Sequence, residues 1–178
     1  MTELPSGLKY LGIGAFNIAG PYVYISKIPA SLQAIPSSAF ALTPNVRIAE
    51  FGSDDGSSAL KSIGPSAFYN TGVSNSVYGE ADPEKVPVVT EITFYKSVTY
   101  LGQNCFQESY GADPVYIRSL TFKYGSSNYN GGHFVNNGGL NGLLNYTGFG
   151  ANLEVDIHDG VEGEIIVWKK LKNINIKV

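Results

Sequence analysis

Four segments of the chain share one spacing of apolar positions. Each has an apolar residue, a second one three positions later, a glycine or proline, and then a small residue directly before phenylalanine. The shared form is [L/V]-x-x-[L/I]-[G/P]-x-x-[A/C]-F, and the phenylalanines lie 24, 28 and 38 residues apart. Four copies with five constrained positions identify an internal repeat. The copies, here units 1 to 4, are Leu8–Phe16, Leu32–Phe40, Leu60–Phe68 and Val98–Phe106.

Short runs with apolar residues at near-alternate positions predict strands that alternate with these motifs. β-branched and aromatic residues bounded by Pro, Gly or Asp are typical of strands. The chain between the runs is too short for a crossover helix. Each unit is therefore predicted to contain a strand, a corner at the Gly or Pro, a second extended run and one helical turn around Ala-Phe. The runs are Val23–Ile28, Val46–Phe51, Val89–Phe94, Ile117–Phe122, Leu153–Ile157 and Leu171–Ile176.

A unit of this kind cannot bury its apolar face alone, so copies are expected to stack on one another. The small residue before each phenylalanine fits a position between layers. The predicted fold class is a repeat solenoid, mainly β with short helical turns, in which a parallel sheet is backed by a ladder of rings. The rings of that repeat core are Phe16, Phe40, Phe68 and Phe106.

The motifs resemble the BspA-type leucine-rich repeat. The L-x-x-I-G-x-x-A-F unit followed by an L-x-x-I-x-F strand carries the resemblance, which covers residues 3–123 well and the rest loosely. It implies a leucine-rich-repeat parallel sheet, a binding or adhesive role and no catalytic residues. It also implies an extracellular or cell-surface location in bacteria, or, as the alternative, a place in a phage virion.

The repeat pattern predicts two parts of one solenoid. Residues 1–123 hold the regular units, with a polar insertion at 70–87, and residues 124–178 hold divergent repeats and a C-terminal cap. The motifs His133-Phe134 and Gly148-Phe149 are candidates for a degenerate fifth unit, and Trp168 replaces the phenylalanine in the last one. Both ends read as interrupted strands, which predicts a module of a longer protein.

Strand alternation predicts an outward-facing column. If the last apolar residue of each run points inward, the residue before it points to solvent, as do residues two positions further back, Ile25 and Ile48 among them. The column is polar without a run of one charge. This is typical of a surface that binds protein or glycan, and equally of a solvated sheet face. Its members are Lys27, Glu50, Thr93, Thr121, Asp156 and Asn175.

Tyrosines in or beside the insertions are a second candidate for partner contact. Tyr78 lies in the insertion at 70–87, and Tyr129 lies in the Gly/Asn-rich segment 124–152. Tyr combined with Ser, Gly and Asn is the composition of adaptable binding loops. The alternative is that these side chains cover the sheet edges.

Composition narrows the possible partners. A net charge of −3 and a pI near 5.3 argue against nucleic acid. A single cysteine excludes an intrachain disulfide and a cysteine-based zinc site. No window approaches 18 consecutive apolar residues, so membrane insertion is not expected. Residues 1–5 have neither the basic nor the apolar region of a secretion signal.

The sequence signals for a catalytic or metal site are weaker than the signal for the repeat at every candidate position. Asp156 and His158 share one side of a strand, but the sequence names no third metal ligand. The Asp54-Asp55 loop has oxygen donors without EF-hand spacing, which leaves a turn or a calcium site open. Gly12 occupies the corner position and is not a phosphate loop, while Cys105 occupies the repeat alanine position and is expected to be buried and inert.

The predicted function is therefore non-catalytic recognition without a cofactor. The partner would be a protein or a glycan on another cell. The alternative is a structural or receptor-binding component of a phage virion or another multi-subunit assembly, joined to its neighbours through the ends of the solenoid.

Overall fold

The computed structural model consists of short parallel strands in two sheets. It describes residues 3–53, 55–72, 82, 84, 92–95 and 97–106, together with the backbone of Glu91 and of the strands at 119–123, 135–136, 153–158 and 174–177. The strands of these described residues are β1 (Ala34–Ile35), β2 (Glu50–Phe51), β3 (Ser62–Ile63), β4 (Glu91–Tyr95), β5 (Tyr100–Leu101), β6 (Ser119–Lys123), β7 (Val135–Asn136), β8 (Leu153–His158) and β9 (Ile174–Lys177).

Units 2 to 4 each contribute one strand to the four-stranded sheet, and the run after each of them contributes one strand to the five-stranded sheet; unit 1 is joined to unit 2 by hydrogen bonds without a regular strand, and the run after it by the isolated bridge of Ile25 with Val46. The strands within the motifs pair in the order β1-β3-β5-β7, and the runs that follow them pair in the order β2-β4-β6-β8-β9. All of these pairs are parallel. The sequence predicts one parallel sheet. The second sheet arises because the middle of each motif also pairs with the next, as Ile35 does with Ile63 and Ile63 with Leu101.

The predicted helical turn around Ala-Phe is wrong for the described residues, which form no helix there. The chain makes overlapping β-turns instead, with the amide N–H of Ala39 donating to Pro36 and that of Ala41 to Ser38. The reason lies in the backbone, because the residue two positions before each phenylalanine has a positive φ, which a right-handed helix excludes. These residues are Gly14, Ser38, Ser66 and Asn104, with φ of 63°, 54°, 53° and 54°.

The turn segments are themselves joined from one unit to the next. In units 1 to 3 the phenylalanine N–H donates to the carbonyl of the small residue before the next phenylalanine. The N–H two positions before each phenylalanine donates to the carbonyl three positions before the next phenylalanine, as Gly14 does to Ser37. This hydrogen-bonded column adds to the two sheets. Its phenylalanine bonds are Phe16 to Ala39 (2.7 Å), Phe40 to Ala67 (2.8 Å) and Phe68 to Cys105 (2.7 Å).

The core is made by the constrained positions of the motif. In units 2 to 4 the first apolar residue, the second apolar residue, the small residue and the phenylalanine are all fully buried. The phenylalanine rings stack in one ladder, with centroids 5.5 Å apart for Phe16–Phe40, 5.3 Å for Phe40–Phe68 and 5.1 Å for Phe68–Phe106. Burial of each such side chain is worth about 1.5–3 kcal/mol.

A second pair of rings comes from the five-stranded sheet. Phe51 and Phe94 stack at 5.3 Å, and both meet Phe106 edge-on, at 5.5 and 5.9 Å. Phe51 also meets Phe68 edge-on at 5.5 Å. Edge-to-face contact is favourable because the edge of an aromatic ring carries a positive partial charge and its face a negative one. The motif phenylalanines therefore hold the sheet residues Phe51 and Phe94 in place through these contacts.

Candidate binding surface

The predicted outward column is in register along most of the five-stranded sheet. Glu50 pairs with Thr93, Thr93 with Thr121, and Thr121 with Asp156. We call these four positions the central row. Glu50 is exposed and Thr93 is half-buried. Parallel strands are about 4.8 Å apart, so the row spans about 14 Å.

One residue after the central row, Phe51, Phe94, Phe122 and Ile157 form a second row in register. Phe51 and Phe94 are fully buried, while Glu50 faces solvent. Tyr95 lies on the other side of Phe94, and its hydroxyl donates to Glu50 Oε1 at 3.4 Å. The described part of the surface therefore combines a carboxylate, a threonine and an aromatic side chain.

The predicted register is wrong at both ends of the column. Ile25 pairs with Val46, an offset two residues from the prediction; continued, it sets the exposed Lys27 beside Ile48 and not beside Glu50. In β9, Asn175 pairs with Glu154, and it is Lys177 that follows Asp156 in the row. The runs have similar apolar patterns, but backbone pairing in the first and last of them does not follow the alignment of those patterns.

The alternation also predicts that Ile25 and Ile48 face outward, and this is wrong, because both are fully buried. Strict alternation fails between Ile48 and Phe51, since both lie in the core although they are three positions apart and would otherwise face opposite sides. The regular strand β2 covers only Glu50–Phe51, so the period of two does not extend back to Ile48.

Buried polar side chains that the sequence interpretation missed tie the units together. Thr43 and Thr71 each lie three residues after a motif phenylalanine and are buried. Thr71 Oγ1 donates to the Phe40 carbonyl at 2.8 Å, and Thr43 Oγ1 donates to the Phe16 carbonyl. Each threonine thus bonds the phenylalanine of the preceding unit. The recurrence of Thr at this offset is visible in the sequence and could have revealed the pair.

Asn45 and Arg47 are two further buried polar residues beside the surface. Asn45 Nδ2 donates to the Pro21 carbonyl at 2.7 Å, and Asn45 Oδ1 accepts the amide N–H of Asp82 at 2.6 Å. The amide therefore connects the segment that follows unit 1 to the insertion. The Arg47 guanidinium donates to the Gly72 carbonyl at 3.2 Å. Asn45 directly precedes the predicted run Val46–Phe51, so the apolar pattern carries no signal for it.

Tyr78 and Tyr129 lie outside the described residues, so contact through the insertions stays a prediction. The same holds for Asp54. For Thr121, Asp156 and His158 the structure describes the backbone alone. The boundary between 1–123 and 124–178 also stays a prediction.

Two residues of the possible chemistry, Asp55 and Cys105, are described, and both have structural roles. The Asp55 carboxylate accepts the Ser57 N–H at 2.9 Å, and hydrogen bonds from Ser57 and Ser53 lower the pKa of that carboxyl. Cys105 is fully buried, and burial raises the pKa of its thiol far above the ordinary value. Among the described residues, no three His, Cys, Asp or Glu side chains cluster so as to hold a metal ion.

Stacked units with buried leucine, isoleucine and phenylalanine positions define the class of leucine-rich-repeat proteins. The chain matches the BspA type leucine rich repeat region in six copies, over residues 2–87 and 84–148, and it belongs to that family. This confirms the resemblance. Proteins of this family are commonly surface or adhesion proteins whose repeats bind other proteins, and the repeat is generally non-catalytic.

Comparison with curated proteins and with solved structures found no match. In the part of the chain that the structure describes, no helical segment has the length and hydropathy needed to cross a bilayer.

Proposed function

We propose that this chain is a solenoid recognition module that binds a protein on another cell through the central row and Tyr95. The family supports protein binding at a cell surface. The observation that carries the choice of surface is the register Glu50–Thr93–Thr121–Asp156, which aligns four polar positions on neighbouring parallel strands. An extracellular location follows from the same proposal.

The chemistry of the described positions favours a protein partner. Thr93 has a small, neutral, hydrogen-bonding side chain. Burial of the centre of the row against a partner therefore costs little free energy of desolvation. Tyr95 offers a large contact area at a low cost in side-chain entropy. The Glu50 carboxylate at one end of the row suits a basic or amide-rich segment of the partner.

The rings below the row make this surface suitable for binding. Phe51 and Phe94 directly follow Glu50 and Thr93. Their rings stack on each other and both pack edge-on against the ring of Phe106. A site on packed strands loses little conformational entropy when a partner binds. The binding energy is therefore available for the contact itself.

The test measures binding of the fluorescently labelled 178-residue chain to cells, before and after treatment of the cells with trypsin or with glycosidases. We expect trypsin to abolish binding. Thr93→Arg should weaken binding by about tenfold or more, because a long cation replaces the central threonine. Thr99→Arg is the matched control, since Thr99 is also half-buried but directly precedes β5 of the other sheet, where its amide N–H donates to the Lys61 carbonyl.

Three outcomes would contradict the proposal. Equal losses for Thr93→Arg and Thr99→Arg would exclude the central row. Binding that survives trypsin and disappears with glycosidases would make the partner a glycan. Loss of binding in Tyr78→Ala or Tyr129→Ala alone, with Thr93→Arg unaffected, would move the contact to the insertions.

A component of a multi-subunit assembly, such as a virion, is the second candidate function. The observation that favours it is the exposed apolar face of unit 1, where Ile13 is 80 % exposed.

A further inference from the structure

A second exposed row lies at the second position of the motifs, directly before the strands of the four-stranded sheet. The amide N–H of Gln33 donates to the Lys9 carbonyl at 3.1 Å, and that of Lys61 donates to the Gln33 carbonyl at 2.9 Å. The three residues are therefore neighbours on successive units, and all three side chains are exposed. We call Lys9, Gln33 and Lys61 the lysine row. Since neighbouring parallel strands are about 4.8 Å apart, the backbones of the two lysines lie about 10 Å apart.

The charge of this row is opposite to that of the whole chain. The chain has 15 Asp and Glu residues and a net charge of −3, yet none of its acidic residues lies in any of the four motifs. The charged residues of the motifs are Lys9 and Lys61 alone. In the part of the chain that the structure describes, neither ammonium group has a carboxylate partner. The lysine row is therefore a cationic strip that is free to pair with an anionic ligand.

A row with two aromatic residues runs beside the lysine row. Ala34 pairs with Ser62, and Ser62 pairs with Tyr100; all three are half-buried. Tyr10 holds the same motif position in unit 1. Two tyrosines therefore lie on either side of two small side chains, in a row that spans about 14 Å. A tyrosine offers an apolar ring face and a polar hydroxyl, and a sugar ring can contact both.

We propose that the lysine row binds an anionic polysaccharide in which acidic sugars alternate with neutral ones, and that the ligand lies across the strands along the stack. The acidic groups pair with Lys9 and Lys61 through charge-assisted hydrogen bonds. The neutral sugar between them bonds to Gln33, whose side-chain amide both donates and accepts. This inference concerns a second surface and does not rest on the central row.

The backbone pairing favours a polysaccharide over a peptide. Peptides commonly bind to a sheet by adding a strand at a free edge. The Lys61 backbone is already used on both sides, because its N–H donates to Gln33 and its carbonyl accepts the N–H of Thr99. A ligand at this row must therefore bind through side chains, and a polysaccharide brings its own hydroxyl groups to that contact.

Nucleic acid fits the row less well. Affinity for nucleic acid grows with the number of phosphates that Lys and Arg neutralise, and this row holds two cations on a chain whose net charge is negative. The separation of the two lysines by the neutral Gln33 suits a ligand whose charges are also separated by neutral groups.

Fluorescence anisotropy of labelled hyaluronan oligosaccharides, titrated with the 178-residue chain at about 10 mM salt, tests the proposal. We expect saturable binding with a Kd of about 1 mM, since two exposed cations make a weak contact, and no binding to labelled dextran, which is neutral. Raising the salt concentration to about 0.15 M should weaken binding severalfold, because the Debye length falls from about 30 Å to about 8 Å.

Lys61→Gln should weaken binding about fivefold, because it removes one cation and keeps a side chain of similar polarity. Lys27→Gln is the matched control, since it makes the same change of charge at an exposed lysine that lies outside the motifs. Thermal unfolding followed by circular dichroism checks that both variants fold, as is expected for substitutions of exposed lysines.

Absence of saturable binding at low salt would overturn the proposal. So would equal effects of Lys61→Gln and Lys27→Gln, or equal binding of dextran and hyaluronan. Polyglutamate that binds as tightly as hyaluronan, with the same sensitivity to Lys61→Gln, would make the ligand an acidic peptide. A contact this weak does not hold the labelled chain on cells by itself, so failure of this inference leaves the recognition proposal unaffected.

Discussion

The corner glycine of unit 4 should be one of the positions most sensitive to a single added methyl group. A Cβ at Gly102 would lie 2.5 Å from the nitrogen of Pro65, 2.7 Å from the carbonyl carbon of Gly64 and 2.8 Å from Pro65 Cδ. All three atoms belong to the corner of the preceding unit, and none is the end of a flexible side chain. Gly102→Ala must therefore push two backbones apart by about 1 Å, given an ordinary contact of 3.4 Å or more.

The cost can be worked from this geometry. Overpacking costs about 1–3 kcal/mol, and we expect the upper end because backbone cannot rotate away. Gly102 does not have a positive φ, so alanine also recovers about 0.4–1 kcal/mol by restricting the unfolded chain. The net loss in the free energy of unfolding should be about 2 kcal/mol.

Gly12→Ala is the matched control, because Gly12 holds the same motif position in unit 1 and nothing lies within 4 Å of its added Cβ. It should stabilise the chain by about 0.5 kcal/mol through the unfolded state. Urea unfolding followed by circular dichroism measures both variants, with an unchanged slope as the check on comparability. If the two variants have the same stability within about 0.5 kcal/mol, a typical surface effect, then successive corners do not touch as described.

Three further predictions concern the interior. Phe68→Ala should cost about 4 kcal/mol in urea unfolding, because the ring stacks on two neighbours, and Phe16→Ala should cost less because that ring is half-buried; equal losses would contradict the ladder. Thr71→Val should cost about 1–2 kcal/mol by leaving the Phe40 carbonyl without its donor, and an unchanged midpoint would exclude that bond. Since burial raises the pKa of the Cys105 thiol above its ordinary value of 9.0, its contribution to stability is complete below pH 9 and declines above it. Cys105→Ala should therefore lose less stability than wild type between pH 7 and pH 10, and identical losses would refute this.

The repeat and the parallel pairing could be predicted because they depend on side chains that recur at fixed offsets. Leu32, Leu60 and Val98 share one position, and burial of such positions requires copies to stack. The register of Phe51 with Phe94 follows in the same way, since both are the last apolar residue of their runs.

The local backbone of the turns could not be predicted in this way. Ser38 and Ser66 carry small side chains and Asn104 a larger one, yet all three adopt a positive φ in turn segments that are hydrogen-bonded to neighbouring units. Even Ile18 and Leu42, which disfavour that conformation, adopt it, with φ of 56° and 58°. Tertiary contacts override local preference at these positions.

The predicted register at the two ends of the candidate surface is wrong for a related reason. Alignment of similar runs set Lys27 beside Glu50, whereas pairing is decided by the backbone, which joins Ile25 to Val46. In β4 the period of two that the prediction assumes does hold, since Ile92 and Phe94 are buried and Thr93 between them is half-buried.

The one-way hydrogen bonding of the turn segments also has an electrostatic consequence. Two peptide groups, Ala15–Phe16 and Ala39–Phe40, point their N–H groups toward the following unit and their carbonyls in the opposite direction. Each peptide dipole is about 3.5 D, and aligned dipoles add, as they do along a helix. Hydrogen bonds in such a chain polarise one another, so each additional unit strengthens those already present. The middle of the stack should consequently exchange its amide hydrogens more slowly than either end.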